Sequence, residues 1–296
     1  VPARPRRIPP ALHVLRTLST PLAALHTALL ATLLTVGLAP SRGFAQEFVP
    51  LEADRDAFTP SVFSVAPGRV LTEISHAYID NLVGPPTNNY PELLVRIGAT
   101  ERFEWRFGAN YGVGSQGTVV TSVEVGEGRL DGGTLYESNV LYGFKLALAE
   151  QVDRVLDACF IMEGTTPTSG DIFGTVPVAT VVVGRELTAR FPWRGAEPWR
   201  LDAAVRYAYS QSATEWFSRW TPSVVLRLPV TDRVELHAEW FGSYTDGLAE
   251  PTSQPFFSPG FHYQVGRNVE IGWRGGWALN ATTAPFFSDA GLAYRW

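Results

Sequence analysis

Arg102-Phe103-Glu104-Trp105-Arg106-Phe107-Gly108-Ala109-Asn110-Tyr111 decides how the rest of the chain is read. Taken every second residue, one face is Phe103, Trp105, Phe107, Ala109 and Tyr111. The other is Arg102, Glu104, Arg106, Gly108 and Asn110. Side chains alternate across a strand, so this stretch has a wholly apolar face and a polar or small one. The period recurs. Val140, Tyr142, Phe144, Leu146 and Leu148 oppose Asn139, Gly143, Lys145 and Ala147, and Leu201, Ala203, Val205, Tyr207 and Tyr209 oppose Arg200, Asp202, Ala204, Arg206 and Ala208. Val234, Leu236, Ala238 and Trp240 oppose Arg233, Glu235, His237 and Glu239; Val269, Ile271, Trp273 and Trp277 oppose Glu270, Gly272, Arg274 and Gly276.

About twelve such segments are expected, at 69–80, 90–99, 101–111, 136–148, 154–163, 176–185, 199–209, 217–229, 233–241, 258–265, 269–277 and 286–296. Tight connections (Thr100, 149–153, Val230-Thr231-Asp232, Gly266-Arg267-Asn268) alternate with longer stretches rich in Gly, Pro, Ser, Thr and Asn. Two connections fit less well: 186–198 is long where a short turn belongs, and 210–216 is only moderate. An even strand count with short turns at one end and long loops at the other describes an all-β, antiparallel transmembrane outer-membrane β-barrel. A soluble barrel or sandwich alternates in the same way. Against it stand aromatic residues at strand ends, as an interfacial girdle requires, and charges on nearly every opposite face. The chain also ends on a strand, Ala290 to Trp296, of the kind that outer-membrane assembly machinery reads.

Composition agrees. Of 296 residues, 45% are hydrophobic and 18% charged, too apolar for a disordered chain and too evenly mixed for a bundle of membrane helices. Lys145 is the single lysine and Gly is abundant at 27, which disfavours long helices. One cysteine, Cys159, excludes a disulfide framework and any multi-cysteine metal site, and reads as an inert strand residue.

Residues 1–45 carry Arg4, Arg6, Arg7, Arg16 and Arg42 and no acid. A cationic start, an apolar run from Leu22 to Ala39 and the small residues Gly43 and Ala45 describe an export signal cleaved after about Ala45. A permanent helical anchor is the rival reading; Pro21, His26 and the lack of a following charge cluster oppose it. Without those five arginines, 19 basic residues face 29 acidic ones, a poor balance for nucleic acid. Residues 46–68, with Phe48, Phe58 and Phe63, form either a periplasmic segment or a plug of the lumen, and 69–296 the barrel.

With the barrel assigned, several stretches resemble the outer-membrane proteins grouped as the meta-pathway of phenol degradation family. They are Pro91-Glu92-Leu93-Leu94-Val95-Arg96-Ile97-Gly98 with Glu101 to Arg106, Val230 to Trp240, Gly143-Phe144-Lys145, Pro167-Thr168-Ser169-Gly170, Gly260 to Tyr263 with Asn268 to Ile271, and Tyr294-Arg295-Trp296. Asn139 and Glu270 stand where that family more often has Asp, and Trp296 where it has Phe. The resemblance implies an outer-membrane transporter or channel, linked by the family's name to aromatic compounds.

Little in the sequence points to catalysis. Gly112-Val113-Gly114-Ser115-Gln116-Gly117 matches a dinucleotide-binding pattern, but the β-branched run Thr118 to Val123 replaces the helix that must follow. After export only His76, His237 and His262 remain, with no serine at a suggestive spacing; His237 with Glu235 or Glu239 is a thin metal site. No enzyme activity and no cofactor are expected. The candidate functional surface is the lumen, lined by Arg96, Arg102, Glu104, Arg106, Lys145, Asp202, Arg206, Arg227, Arg233, Glu239, Glu270 and Arg274. Such charges either brace a narrow interior or also sort small-molecule solutes by charge and size. A closed structural or ligand-binding barrel is the alternative function, and an outer-membrane hydrolase the third.

Overall fold

The computed structural model describes residues 51, 53–55, 57–115, 119–121, 134–149, 156–170, 174–193, 197–212 and 215–296, all within the unit Phe48–Trp296. The export-signal region, Gln116-Gly117 of the glycine-rich pattern and most of the 149–153 connection lie outside the described residues. Twelve antiparallel strands follow one another in sequence: β1 (Val70–Asp80), β2 (Thr87–Thr100), β3 (Phe103–Gly114), β4 (Leu135–Ala149), β5 (Asp157–Ser169), β6 (Val176–Glu186), β7 (Arg200–Gln211), β8 (Trp216–Pro229), β9 (Val234–Asp246), β10 (Ser253–Gly266), β11 (Val269–Ala278) and β12 (Phe286–Arg295). Each pairs with its sequence neighbours. β12 returns to β1, with Leu71 opposite Arg295 and Asp80 opposite Phe286, so the sheet closes into a barrel with no free edge.

The alternation read from β3 sets the two faces. Trp105, Phe107 and Tyr111 point outward and are exposed, while Glu104, Arg106 and Asn110 point inward and are buried. An outward belt of large apolar residues runs round the barrel through Tyr142, Val181, Val205, Trp220, Leu236, Phe257, Trp277 and Leu292. Trp296 closes the seam: its amide donates to the Val70 carbonyl (2.9 Å) and its indole Nε1 to Thr72 Oγ1 (3.1 Å).

One strand boundary and one connection differ instructively from the sequence reading. β2 begins three residues early, at Thr87, and its pairing with β3 shifts register between Asn89 and Glu92, where Pro91 has no N–H to offer the ladder. The described parts of the long 186–198 connection, up to 193 and from 197, are tied to their surroundings. Leu187 donates to Trp199 O, Phe191 stacks on Trp193, and Trp193 Nε1 donates to Val230 O in the neighbouring turn at 2.7 Å. They extend a hairpin rather than hanging loose.

The described residues between 51 and 65 run inside the barrel. Leu51, Ala53 and Val65 cluster with Leu71 and Ala293 at the short-turn end. Phe58 joins Ile79, Phe241, Phe256 and Phe287 toward the long-loop end, so the segment rises, turns and descends to β1. Its descending limb passes against Gly98, where a Cβ would run into the Ala66 carbonyl. Only glycine permits that approach. We expect Gly98→Val to lower the thermal midpoint, by about 1–3 kcal/mol of overpacking, and to speed tryptic cleavage at Arg55. Gly266→Val, with nothing near its Cβ, is expected to do neither.

Candidate functional site

The inner wall carries its strongest charge on β1 to β5. Register sets Arg96 of β2 directly opposite Arg106 of β3, and Glu104 of β3 opposite Lys145 of β4. Two guanidinium groups side by side repel and require acids between them. Glu104 supplies one, accepting from Arg96 Nε at 2.8 Å, from Arg96 Nη2 at 3.0 Å and from Arg106 Nη1 at 3.0 Å. Glu163 of β5 accepts from Arg106 Nε at 2.7 Å. A third acid comes from the inner segment. Asp54 receives Arg106 Nη1 at 2.6 Å, Lys145 Nζ at 3.0 Å and Arg96 Nη1 at 3.3 Å, and is fully buried. Burial alone would raise the Asp54 pKa, but Arg96, Lys145 and Arg106 outweigh it and hold the carboxyl far below the usual range.

The described residues of the segment lie in no helix or strand, so wall side chains take up their backbone groups. Glu73 accepts the amides of Asp54 (2.7 Å) and Arg55 (2.8 Å). Glu239 accepts those of Phe58 (2.9 Å) and Thr59 (2.6 Å), and Glu104 that of Val65 (2.7 Å). Lys145 donates to the carbonyls of Ser61 (2.8 Å) and Phe63 (3.1 Å), and Arg96 to Phe63 O (2.9 Å). Thr59 Oγ1 meets Ser223 Oγ at 2.9 Å. Phe58 stacks on Phe241 with centroids 4.5 Å apart, and Arg200 lies over the Phe63 ring at 4.5 Å.

A second closure enters from the other end. Val119 and Val120, between β3 and β4, join the apolar cluster around Phe58, and Thr121 donates to Glu92 at 3.0 Å. Arg274 ties the two closures together. It donates to the Val120 carbonyl, to Glu239 (3.2 Å) and to Asp289, and its guanidinium lies near the rings of Phe241 and Phe287.

Of the sequence candidates, Arg96, Glu104, Arg106, Lys145, Glu239 and Arg274 are brought together around the inner segment. Asp202 and Arg227 form a second network with Arg200, Asp157 and Glu235, which also reaches the segment: Arg227 donates to the Thr59 carbonyl at 3.4 Å. Arg206 is buried on the inner face of β7, and Glu270 of β11 lies 3.5 Å from His262 Nδ1. Two candidates are corrected. Arg102 is exposed in the two-residue turn before β3, because that strand starts only at Phe103. Arg233 is half-buried in the turn before β9, where Thr231 Oγ1 accepts its amide.

Glu73, Glu163, Asp54 and Asp289 were missed. Glu163 and Asp289 share the inward period of their strands and were legible there; Asp54 lies in a stretch without period. The histidines do not assemble a hydrolytic pair: neither ring nitrogen of His237 has a hydrogen-bond partner, and His76 points outward to Asn88 Oδ1 at 3.2 Å.

The model of the family described as "TonB dependent receptor-like, beta-barrel" matches residues 165–290. Among solved structures, the COG4313 outer membrane channel from Pseudomonas putida F1 is similar at 12% identity and a TM-score of 0.52, over 79% of this chain and 98% of that one. The NanC porin is similar at 8% identity and a TM-score of 0.49, covering 75% and 98%. The KdgM porin in complex with disordered oligogalacturonate is similar at 11% identity and a TM-score of 0.46, covering 76% and 98%. No curated protein sequence matches.

Breaking a buried ion network by removing one partner costs about 3–5 kcal/mol, so Asp54→Asn should clearly lower the thermal midpoint. A depressed carboxyl gives stability that is present above its unfolded pKa of about 3.9 and lost as pH falls through the folded value. The gap between wild type and Asp54→Asn should therefore stay constant from about pH 7.5 to 5 and shrink only below about 4. Thermal unfolding of both chains across that range is the measurement, and a gap that closes by pH 6 would refute the assignment.

Proposed function

We propose that the chain is an outer-membrane channel for small solutes, closed at rest by its own residues 51–65. The observation that carries this reading is the lumen itself. Its occupant is a segment whose described residues lie in no helix or strand, held by side-chain contacts to a polar wall, and its withdrawal together with that of Val119 and Val120 would leave a charge-lined passage. Strands of 10–15 residues with a continuous outward apolar belt suit a tilted crossing of the lipid. In this setting residues 1–45 are the cleaved export signal, the short turns and both barrel termini are periplasmic, and the strand ending at Trp296 is what assembly machinery reads. Transport is passive, without a chemical step or cofactor.

Arg96, Glu104, Arg106, Lys145, Asp202, Arg206, Arg227, Glu239, Glu270 and Arg274 then set the field that a solute crosses. Similarity to the Pseudomonas channel supports the fold. The aromatic substrate class rests on the resemblance to the phenol meta-pathway family alone.

A closed structural barrel is the second reading, favoured by the filling of the lumen from both ends. A cross-link separates the two. With Cys159→Ala as background, Thr59→Cys with Ser223→Cys joins the segment to β8, where the two side chains now touch. In proteoliposomes the oxidised protein should pass small solutes at least tenfold more slowly than the same protein after reduction. Equal flux in both states would remove the segment as a gate, and no flux in either would favour the structural barrel.

A further inference from the structure

We infer that the place occupied by the Asp54 carboxylate is a binding site for a small monocarboxylate, filled at rest by the chain's own segment. The channel reading supplies the route by which a ligand reaches it. Three donors converge there from three successive strands: Arg96 Nη1 at 3.3 Å, Arg106 Nη1 at 2.6 Å and Lys145 Nζ at 3.0 Å. Bracing the barrel does not require this acceptor. Arg96 already holds Glu104 through Nε and Nη2, and Arg106 holds Glu163 through Nε. Those wall acids fix the two guanidinium groups so that their Nη1 atoms aim at the position Asp54 takes. Lys145 is different: its nearest wall carboxylate oxygen, on Glu104, is 3.8 Å away, and its close acceptors Asp54, Ser61 O and Phe63 O all belong to the segment. When the segment withdraws, Lys145 is left facing an acceptor position shaped by a carboxylate on a methylene, the end of a small carboxylic acid.

Charge balance sets the class. Arg96, Arg106 and Lys145 face the wall acids Glu73, Glu104 and Glu163, so the empty wall is neutral. It accepts one negative charge, as it accepts Asp54. A second charge meets a wall that the first carboxylate has already made net negative, which disfavours dicarboxylates. Tethering gives Asp54 an effective concentration on the order of millimolar. Solution carboxylates thus compete weakly, as a site that must release its solute requires.

Chemical rescue tests the site without measuring transport. In the full chain, Asp54→Gly removes the carboxymethyl group and leaves room for acetate. At constant ionic strength, acetate should raise its thermal midpoint saturably, acetamide should not, and succinate should act at least fivefold more weakly per mole. Adding Lys145→Gln should abolish the effect, and wild type should not respond. Failure of acetate, or equal action of acetamide, overturns the site.

If Asp54→Gly does not fold, Thr59→Cys in the Cys159→Ala background reports displacement of the segment. Propionate should speed maleimide labelling at least twofold over propionamide, and equal rates overturn the proposal. Rescue without any solute flux would sink the channel and keep the site. Flux without rescue would do the reverse.

Discussion

A buried charge must find a partner, and in this barrel the wall's own acids do not come close to every cation: Lys145 has no wall carboxylate nearer than 3.8 Å. Closing twelve strands turns the apolar faces outward and gathers the polar ones in a space too narrow for every ionic group to keep bulk water. Arg96 and Arg106 face each other across β2 and β3, and Lys145 stands one strand further on. Glu104 lies between all three, yet the closest acid to Lys145 and Arg106 is Asp54 from outside the sheet. The dependence is mutual. The segment that brings Asp54 has no ladder to join, and its amides and carbonyls are satisfied by Glu73, Glu239, Glu104, Lys145 and Arg96.

This mode of attachment suits something that must let go. Fixing each residue of such a segment costs about 1–2 kcal/mol in backbone entropy. Ion pairs taken out of water return only a modest net gain, because desolvation offsets much of the attraction. Apolar burial is divided among three separate places: Leu51 and Val65 at the short-turn end, Val62 against Cys159, Ile161, Val182 and Ala204, and Phe58 near the other end. The segment therefore rests on many moderate contacts that regain water on withdrawal, rather than on one large apolar interface. Gly68, with φ of +73°, stands where the descending limb turns into β1, a backbone conformation that suits glycine.

The same chemistry explains what could be read from the sequence. Wherever the inner face is polar, period-two alternation marks strand and face together, and β4, β7 and β11 are legible to within two residues. Alternation fails where the inner face turns apolar to meet Phe58. Phe241, Phe256 and Phe287 point inward among outward Trp240, Phe257 and Phe286. Both faces then look alike, so β9 reads as ending at 241 instead of Asp246, and β10 as starting at 258 instead of Ser253. β1 is ambiguous for the same reason: its inner face runs from Glu73 and Ser75 to Ala77 and Ile79. Asp54 could not be placed because an irregular segment has no period, and what fixes it is spread over β1 to β4, far away in sequence.

Arg274 shows why the two closures belong to one arrangement. Its guanidinium spends one nitrogen on Glu239, the acid that holds the amides of Phe58 and Thr59, and another on the Val120 carbonyl. It also lies near Phe241 and Phe287, the rings against which Phe58 and the two valines pack. Withdrawal of the inner segment exposes Glu239 and strips Phe241 of its stacked partner, so the surroundings that keep Arg274 dry are lost. Withdrawal of Val120 removes an acceptor from the same cation and opens the apolar cluster from above. Each closure thus improves the setting of the other through a shared cation and a shared apolar core, although one enters from the chain's start and the other from between β3 and β4.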